Sequence, residues 1–316
     1  MTEKVNLTWV VAHEPLHLFL RTANAFKNII EEQTNGRINV TILTKSEFYN
    51  DPNAANRRGF FSDLVNNRFQ MAQFQTTALG TKYKNFHIFD LPFLFKDHAH
   101  ATRVLDGSIG ENLLDLLSKN TKVRGLAFTY SGGFRVMVSN SPIKNLEDIK
   151  GKTISCSESP IAEEIYNILG ANPVLDRSGH DLSVHFDENP DIDFDGGETT
   201  LVRFDRVKEK TPYITNTKHS LFLTTIVISN EFWDSLSNED KELFKDAAKK
   251  TALAERQETI TDSEAFVDES KSRCAGFFEF TKEEMVKFKE ATLEIYSSEL
   301  LKKLFIPAIV KKIRTA

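Results

Sequence analysis

Residues 5–43 read VNLTWVVAHEPLHLFLRTANAFKNIIEEQTNGRINVTIL, and this stretch decides the fold class. Residues 5–12 are rich in β-branched side chains and alternate in polarity, which predicts a strand. Residues 16–33 place Leu20, Phe26 and Ile30 at helical spacing, and Asn35-Gly36 predicts the end of that helix. Residues 37–43 alternate again. A strand, a helix and a strand in this order predict an α/β layer with mostly parallel pairing.

The rest of the chain continues this alternation of strands and helices. Further strands are predicted over residues 69–74, 123–130, 134–139 and 221–229, and further helices over residues 98–120 and 159–169. The segment 175–197 is rich in Asp, His, Gly and Pro and has little periodicity. From Asn238 onward the sequence is charged and helical, with no proline between Pro212 and Pro307. This predicts a long C-terminal helical region that braces more than one domain.

Composition excludes several classes of function. The chain has 316 residues, 40% hydrophobic and 27% charged, which is typical of a globular protein of about two domains. The formal net charge is −5, and Lys and Arg are scattered, so no nucleic-acid partner is predicted. No apolar run approaches the ~18 residues of a membrane span. Cys156 and Cys274 are too few for a disulfide scaffold, and two buried thiols are favoured over one bridge.

The N-terminal residues Met1-Thr2-Glu3-Lys4 are polar and carry no apolar signal-peptide core. Either the protein is cytoplasmic or a leader has been removed from the mature chain. The residues alone leave both interpretations open.

Sequence motifs for catalysis are absent: the chain has no GxSxG, GxxxxGK[ST], HExxH or GxGxxG pattern. The segment DIDFDG at 191–196 matches the start of a calcium loop, but the twelfth position falls on Val202, which cannot bind the ion. An acidic turn that enters a strand is the favoured interpretation. A metal-dependent hydrolase or calcium-binding protein is kept as the alternative function, with the ligands Asp191, Asp193, Asp195, His180 and His185.

A series of short segments spans most of the chain in a fixed order. They are HEP at 13–15, TNGRI at 34–38, DLPFLF at 90–95, GFR at 133–135, PIKNLEDIKGK at 142–152, GANP at 170–173, DGGE at 195–198 and SNEFW at 229–233. Their order and spacing resemble those of the solute-binding proteins of tripartite ATP-independent periplasmic (TRAP) transporters.

The resemblance implies a two-domain, periplasmic-binding-protein-like (Venus-flytrap) α/β fold with a long C-terminal helix that braces both domains. We predict domain I from residues 1–131 plus 220–256, and domain II from residues 132–219 plus 257–316. The implied function is that of a receptor rather than an enzyme, without a cofactor, which hands a small organic acid to TRAP membrane subunits. The implied location is the periplasm, with the leader absent from this chain.

Several ligand positions of the family can be assigned in this sequence, and some depart from its pattern. The arginine that usually clamps the ligand carboxylate is replaced by Ser155, whereas a second arginine position matches Arg135. The family motif D-G-x-E-N corresponds to DGGET at 195–199, so Glu198 and Thr199 occupy its last two positions. The helical segment that precedes this motif in the family is absent from this sequence.

In the first domain, His13 and Gln75 lie where relatives present polar groups to the ligand. A hydroxyl gives one hydrogen bond and no charge, so Ser155 cannot replace a guanidinium. We therefore expect a non-standard ligand: an anion held through Arg135 alone, a neutral or cationic polar solute, or a ligand recognised by aromatic contact.

Overall fold

The computed structural model describes residues 4–51, 59–177, 182–304 and 307–316. Its strands are β1 (Val5–Val11), β2 (Ile38–Thr44), β3 (Met71–Gln75), β4 (Val123–Ser139), β5 (Thr153–Ser157), β6 (Asn172–Asp176), β7 (Gly196–Thr200), β8 (Tyr213–Thr215), β9 (Leu221–Ser229) and β10 (Gly276–Phe278). Its longer helices are α1 (Leu16–Gln33), α5 (His98–Leu105), α6 (Ser108–Asn120), α7 (Pro160–Ile168), α10 (Asn238–Arg273), α11 (Lys282–Leu293) and α13 (Pro307–Thr315). The shorter helices are α2 (Lys45–Tyr49), α3 (Phe60–Val65), α4 (Thr76–Gly80), α8 (Leu182–Glu188), α9 (Asn230–Ser235) and α12 (Glu299–Leu304).

The chain divides into two compact units. Unit 1 comprises Met1–Gln75, Val104–Thr129 and Thr224–Glu258, and unit 2 comprises Thr76–Arg103, Tyr130–Leu223 and Thr259–Ala316. Residues 76–103 therefore group with unit 2, although the sequence interpretation assigned them to domain I. The domain boundaries given above stay a prediction. Helix α10 belongs to unit 1 up to Glu258 and to unit 2 from Thr259.

Unit 1 contains the strand–helix–strand start that the sequence predicted. Strand β1 pairs in parallel with β2 and β3, and β3 pairs antiparallel with β9. Helix α1 buries one face, on which Phe26 contacts Trp9 of β1 and Phe244 of α10 at ring-centroid distances of 5.3 and 5.5 Å. This face is the one that the 3.6-residue period of the sequence indicated.

Unit 2 is built on a mixed sheet. Strand β4 pairs antiparallel with β7 and β8, β5 pairs in parallel with β6 and β7, and β8 pairs in parallel with β10. One core cluster of this unit joins the strands to α8 and the turn after β7; it consists of Val136, Val138, Leu182, Phe186, Leu201, Phe204, Val207 and Ile214. The antiparallel register places Arg135 of β4 opposite Thr200, two residues from Glu198 in the middle of β7.

Three elements differ from the sequence prediction. Residues 123–139 form one strand, because Gly132 and Gly133 adopt φ values of +90° and +86° and turn the backbone without breaking it. Residues 98–120 form two helices, α5 and α6, rather than one. The segment 175–197 contains helix α8, whose seven residues are too few to show a clear period.

Helix α10 confirms the long C-terminal helix, with 36 residues. Within the described ranges, none of the helices combines the length and the apolar character needed to span a lipid bilayer. Both cysteines are free; Cys156 is buried as expected, but Cys274 is only partly buried, so the prediction of two buried thiols is half wrong.

Candidate functional site

An ion pair buried in unit 2 forms the centre of the candidate site. Nη1 of Arg135 donates to Oε1 of Glu198 over 3.0 Å, and each side chain exposes only 7% of its surface. Arg135 lies opposite Thr200 in the β4–β7 ladder, so Glu198 is its diagonal neighbour, within reach of a long side chain. The strand register therefore joins two residues that are 63 positions apart.

Glu198 has two more partners. Its Oε1 accepts hydrogen bonds from the backbone N–H and the hydroxyl of Ser157, at 3.3 and 3.0 Å, and its Oε2 lies 3.3 Å from Nε2 of His219. Burial alone would raise the pKa of Glu198, but the charge of Arg135 and the bonds from His219 and Ser157 outweigh it and lower that pKa to about 2. The side chain is therefore a carboxylate at neutral pH.

Arg135 is also held by an aromatic ring. The centre of its guanidinium lies 3.8 Å from the ring centroid of Phe222, and the guanidinium of Arg203 lies 5.2 Å from the same centroid. Arg203 is buried and donates to the hydroxyls of Ser131 and Thr200, at 2.7 and 2.9 Å. Cation–π contact in a dry environment adds to the ion pair, so Arg135 is fixed in one orientation.

Ser155 lies in β5 and has a different partner. Its hydroxyl oxygen lies 2.6 Å from Nδ1 of His185 in helix α8, and both side chains are buried. The His185 ring is 5.2 Å from that of Phe194, and burial lowers the pKa of His185. At neutral pH the imidazole is therefore mainly uncharged. The position at which the resemblance predicts a cation in relatives therefore holds a neutral hydroxyl–imidazole pair.

The other predicted site residues are less closely connected. Thr199 is buried next to Glu198 in β7, but successive side chains of a strand point to opposite faces, so it does not extend the ion-pair cluster. In unit 1, the His13 ring lies 5.5 and 6.2 Å from the rings of Phe19 and Phe74. Gln75 is the half-buried last residue of β3.

The acidic segment 191–196 forms a turn that enters β7, as the favoured interpretation predicted. Oδ2 of Asp195 accepts from the backbone N–H of Thr153 at 2.9 Å, which is a structural role. Across the described ranges, no group of three or more His, Cys, Asp and Glu side chains could hold a metal ion. Of the alternative ligand set, His180 lies outside the described residues, and His185 is bonded to Ser155.

Sequence reasoning missed five contact residues of unit 2: Ser157, His185 as a partner of Ser155, Arg203, His219 and Phe222. The only local signal was for Ser157, which follows Ser155 at a spacing of two in the same strand. The others are joined to the site by tertiary packing. No pattern within a window of the sequence could have indicated them.

Comparison with known proteins identifies the family. The model of the DctP family, described as bacterial extracellular solute-binding protein, family 7, matches residues 10–175 and 195–303. The chain belongs to this family. The resemblance to TRAP solute-binding proteins inferred from the short segments is thereby confirmed, and the assigned Ser155 and Glu198 lie within the matched ranges.

Relatives of this family 7 protein cover most of its length. The C4-dicarboxylate-binding protein DctB of Bacillus subtilis is 23% identical over 87% of this chain and 76% of its own. A TRAP periplasmic solute-binding protein from Ochrobactrum anthropi, solved with its C-terminus in the ligand-binding pocket, is 27% identical, with a TM-score of 0.80 over 99% of this chain and 97% of that one. A TRAP protein from Shewanella oneidensis with bound succinate has a TM-score of 0.84 at 19% identity, over 99% of both chains. The α/β fold class of the family is thus confirmed.

Proposed function

We propose that this family 7 protein is the receptor of a TRAP-type transporter that captures a small organic acid or other polar solute in the periplasm. It delivers that solute to the membrane subunits of the transporter and does no chemistry on it. The family match is the observation that carries this proposal. It is supported by relatives described as binding C4-dicarboxylates in B. subtilis and 2,3-diketo-L-gulonate in Escherichia coli.

We assign the ligand contacts to six side chains, as a proposal. They are His13 and Gln75 in unit 1, and Arg135, Ser155, Glu198 and Thr199 in unit 2. The pairing of Arg135 with Glu198 supports a particular ligand chemistry, because the positive charge of the arginine is already balanced by a buried carboxylate. An anionic solute gains less binding free energy from an arginine that is already paired than from an unpaired one.

Ser155 limits the ligand further. A carboxylate placed against Ser155 meets a hydroxyl bonded to a neutral imidazole instead of a bidentate cation. Loss of one partner of a buried charge pair costs about 3–5 kcal/mol. At ~1.4 kcal/mol per decade, this weakens the binding of a simple mono- or dicarboxylate by roughly two to three and a half decades. A solute that presents a hydroxyl, an amide or an aromatic edge at this position suits the pair better.

Thermal-shift measurements across a library of organic acids, sugar acids and neutral polar solutes test the function, with native mass spectrometry to detect a co-purified ligand. At a ligand concentration about 100-fold above the Kd, the gain in stability is about 2.7 kcal/mol. Failure of every solute to stabilise the chain would contradict the receptor function.

The hit from that library is then titrated calorimetrically against two variants. Arg135→Ala should weaken binding at least tenfold. Arg273→Ala is the matched control, because this arginine of the same unit is 44% exposed and paired with Glu269, and it should leave the Kd unchanged. Succinate bound tightly by the natural chain and by Arg135→Ala alike would refute the proposed ligand chemistry.

A further inference from the structure

The C-terminal part of unit 2 carries a local concentration of positive charge, although the basic residues of the whole chain are scattered along the sequence. Residues 300–316 contain Lys302, Lys303, Lys311, Lys312 and Arg314 and no acidic residue, in a chain whose formal net charge is −5. All five side chains are exposed. The amine of Lys84, in the segment before β4, donates to the backbone oxygen of Lys303 and adds a sixth cation. We call these six residues the basic surface.

Most of this charge is not neutralised by the protein. Lys302 pairs with Glu299, one turn earlier in α12. Among the described residues, no carboxylate lies within ion-pairing distance of Lys303, Lys311, Lys312 or Arg314, whereas many of the other exposed lysines and arginines are paired. Unpaired charges of one sign that are concentrated in one part of a protein attract a partner of opposite charge.

Two residues of the basic surface, Lys311 and Arg314, line a small cavity. A cavity of about 370 Å³ is lined by Tyr296, Leu301, Val310, Lys311, Arg314 and Thr315, and includes none of the six proposed ligand contacts. The Arg314 guanidinium lies 4.4 Å from the ring centroid of Tyr296, whose hydroxyl donates to the backbone oxygen of Pro92 over 2.8 Å. The aromatic wall and the cation above it are thus held by the fold rather than free on a tail.

We propose that the basic surface binds the anionic phospholipid headgroups of a membrane. In this proposal a phosphate group binds at the cavity that Lys311 and Arg314 line, and the other cations interact with neighbouring headgroups. A protein partner is less favoured because a stable protein interface needs an apolar core. Among the described residues, the large exposed apolar side chains are Leu253 and Val286, and neither belongs to α12 or α13.

Such binding has a consequence for a receptor that works at a membrane. Weak attraction to the headgroups raises its concentration near the bilayer and turns unit 2 toward it, without the affinity of a permanent anchor. The attraction does not depend on which solute is bound. The membrane-binding proposal can therefore fail while the proposed function holds, and the reverse is also true.

Co-sedimentation with phospholipid vesicles tests the proposal on the full chain. Binding is expected to vesicles that contain phosphatidylglycerol and not to vesicles of phosphatidylcholine alone, and it should fade as the salt approaches ~1 M, where the Debye length is about 3 Å. Lys311→Glu with Lys312→Glu should weaken vesicle binding at least about tenfold. Lys249→Glu with Lys250→Glu, an adjacent exposed pair on α10 with the same charge change, is the matched control and should bind as the natural chain does.

Two further measurements keep the test decisive. Lys311→Gln with Lys312→Gln avoids a negative charge at the end of α13, and it should fold normally and show a smaller loss of binding. No binding to anionic vesicles, or an equal loss in the Lys249/Lys250 control, would overturn the proposal. So would saturable binding of free glycerophosphate or poly-glutamate without vesicle binding, because those results would assign the surface to a soluble anion or an acidic protein.

Discussion

The substitution Glu198→Gln removes one charge from the buried ion pair and keeps the shape of the side chain. In the native protein Glu198 is a carboxylate whose pKa is lowered from 4.5 to about 2, chiefly by Arg135 acting against the cost of burial. At ~1.36 kcal/mol per pKa unit, that difference is equivalent to about 3 kcal/mol of folding stability. The value agrees with the roughly 3–5 kcal/mol lost when one partner of a buried pair is removed.

The dependence on pH follows from the direction of this pKa. Because the pKa is lower in the folded chain than in the unfolded one, the stabilisation is fully present above about pH 4.5 and is lost as the pH falls toward 2. The difference in unfolding free energy between the natural chain and Glu198→Gln should therefore be about 3 kcal/mol near pH 7. It should shrink to about 1 kcal/mol near pH 3.

Urea denaturation at several pH values measures this difference. Glu147→Gln is the matched control, since Glu147 is 76% exposed in its ion pair with Lys150 and surface pairs contribute only about 0–1 kcal/mol. A Glu198→Gln variant within about 1 kcal/mol of the natural chain at pH 7 would refute the reasoning. An equal difference in unfolding free energy at pH 3 and pH 7 would show that the loss of stability does not come from the charge of the carboxylate.

Three further predictions concern the same unit. Ser155→Arg should strengthen the calorimetric binding of succinate by at least tenfold if Ser155 faces the ligand, and an unchanged Kd would place it elsewhere. Gly197→Ala should lower the unfolding free energy by about 1–3 kcal/mol in urea titrations, because the added Cβ would lie 2.6 Å from Cδ1 of Leu182; a neutral effect would show that α8 can shift freely. Cys274 should react with a thiol reagent in the native protein and Cys156 only after unfolding, since burial raises the pKa of the Cys156 thiol and shields it; mass spectrometry that finds Cys156 labelled first would contradict this.

Much of the fold could be predicted from local patterns. The bounds of α1 agree with the sequence prediction at both ends, and Phe26 and Ile30 are buried as its helical period predicted, whereas Leu20 is half-buried. The sequence prediction of secondary structure was wrong where the pattern is short or interrupted. Helix α8 has only seven residues, and the glycines inside β4 mimic a loop signal although the strand continues through them.

The candidate site was predicted in part. The family resemblance selected Arg135, Ser155 and Glu198 as important positions, and the absence of an arginine at Ser155 is a fact of the sequence. The family resemblance did not indicate that Arg135 is paired with Glu198, or that His185 is the partner of Ser155. Whether His13, Gln75 and Thr199 contact ligand stays a prediction.

The sequence by itself determined the α/β class, the family and the presence of a serine at position 155, because periodicity, motif order and residue identity are properties of the linear chain. Only the tertiary structure determined which side chains pair in the candidate site and what charge they carry. Arg135 meets Glu198 across 63 positions and Ser155 meets His185 across 30, and these meetings depend on strand register and on helix packing. The low pKa of Glu198 depends in turn on those neighbours and on the exclusion of water, which act through space rather than along the sequence.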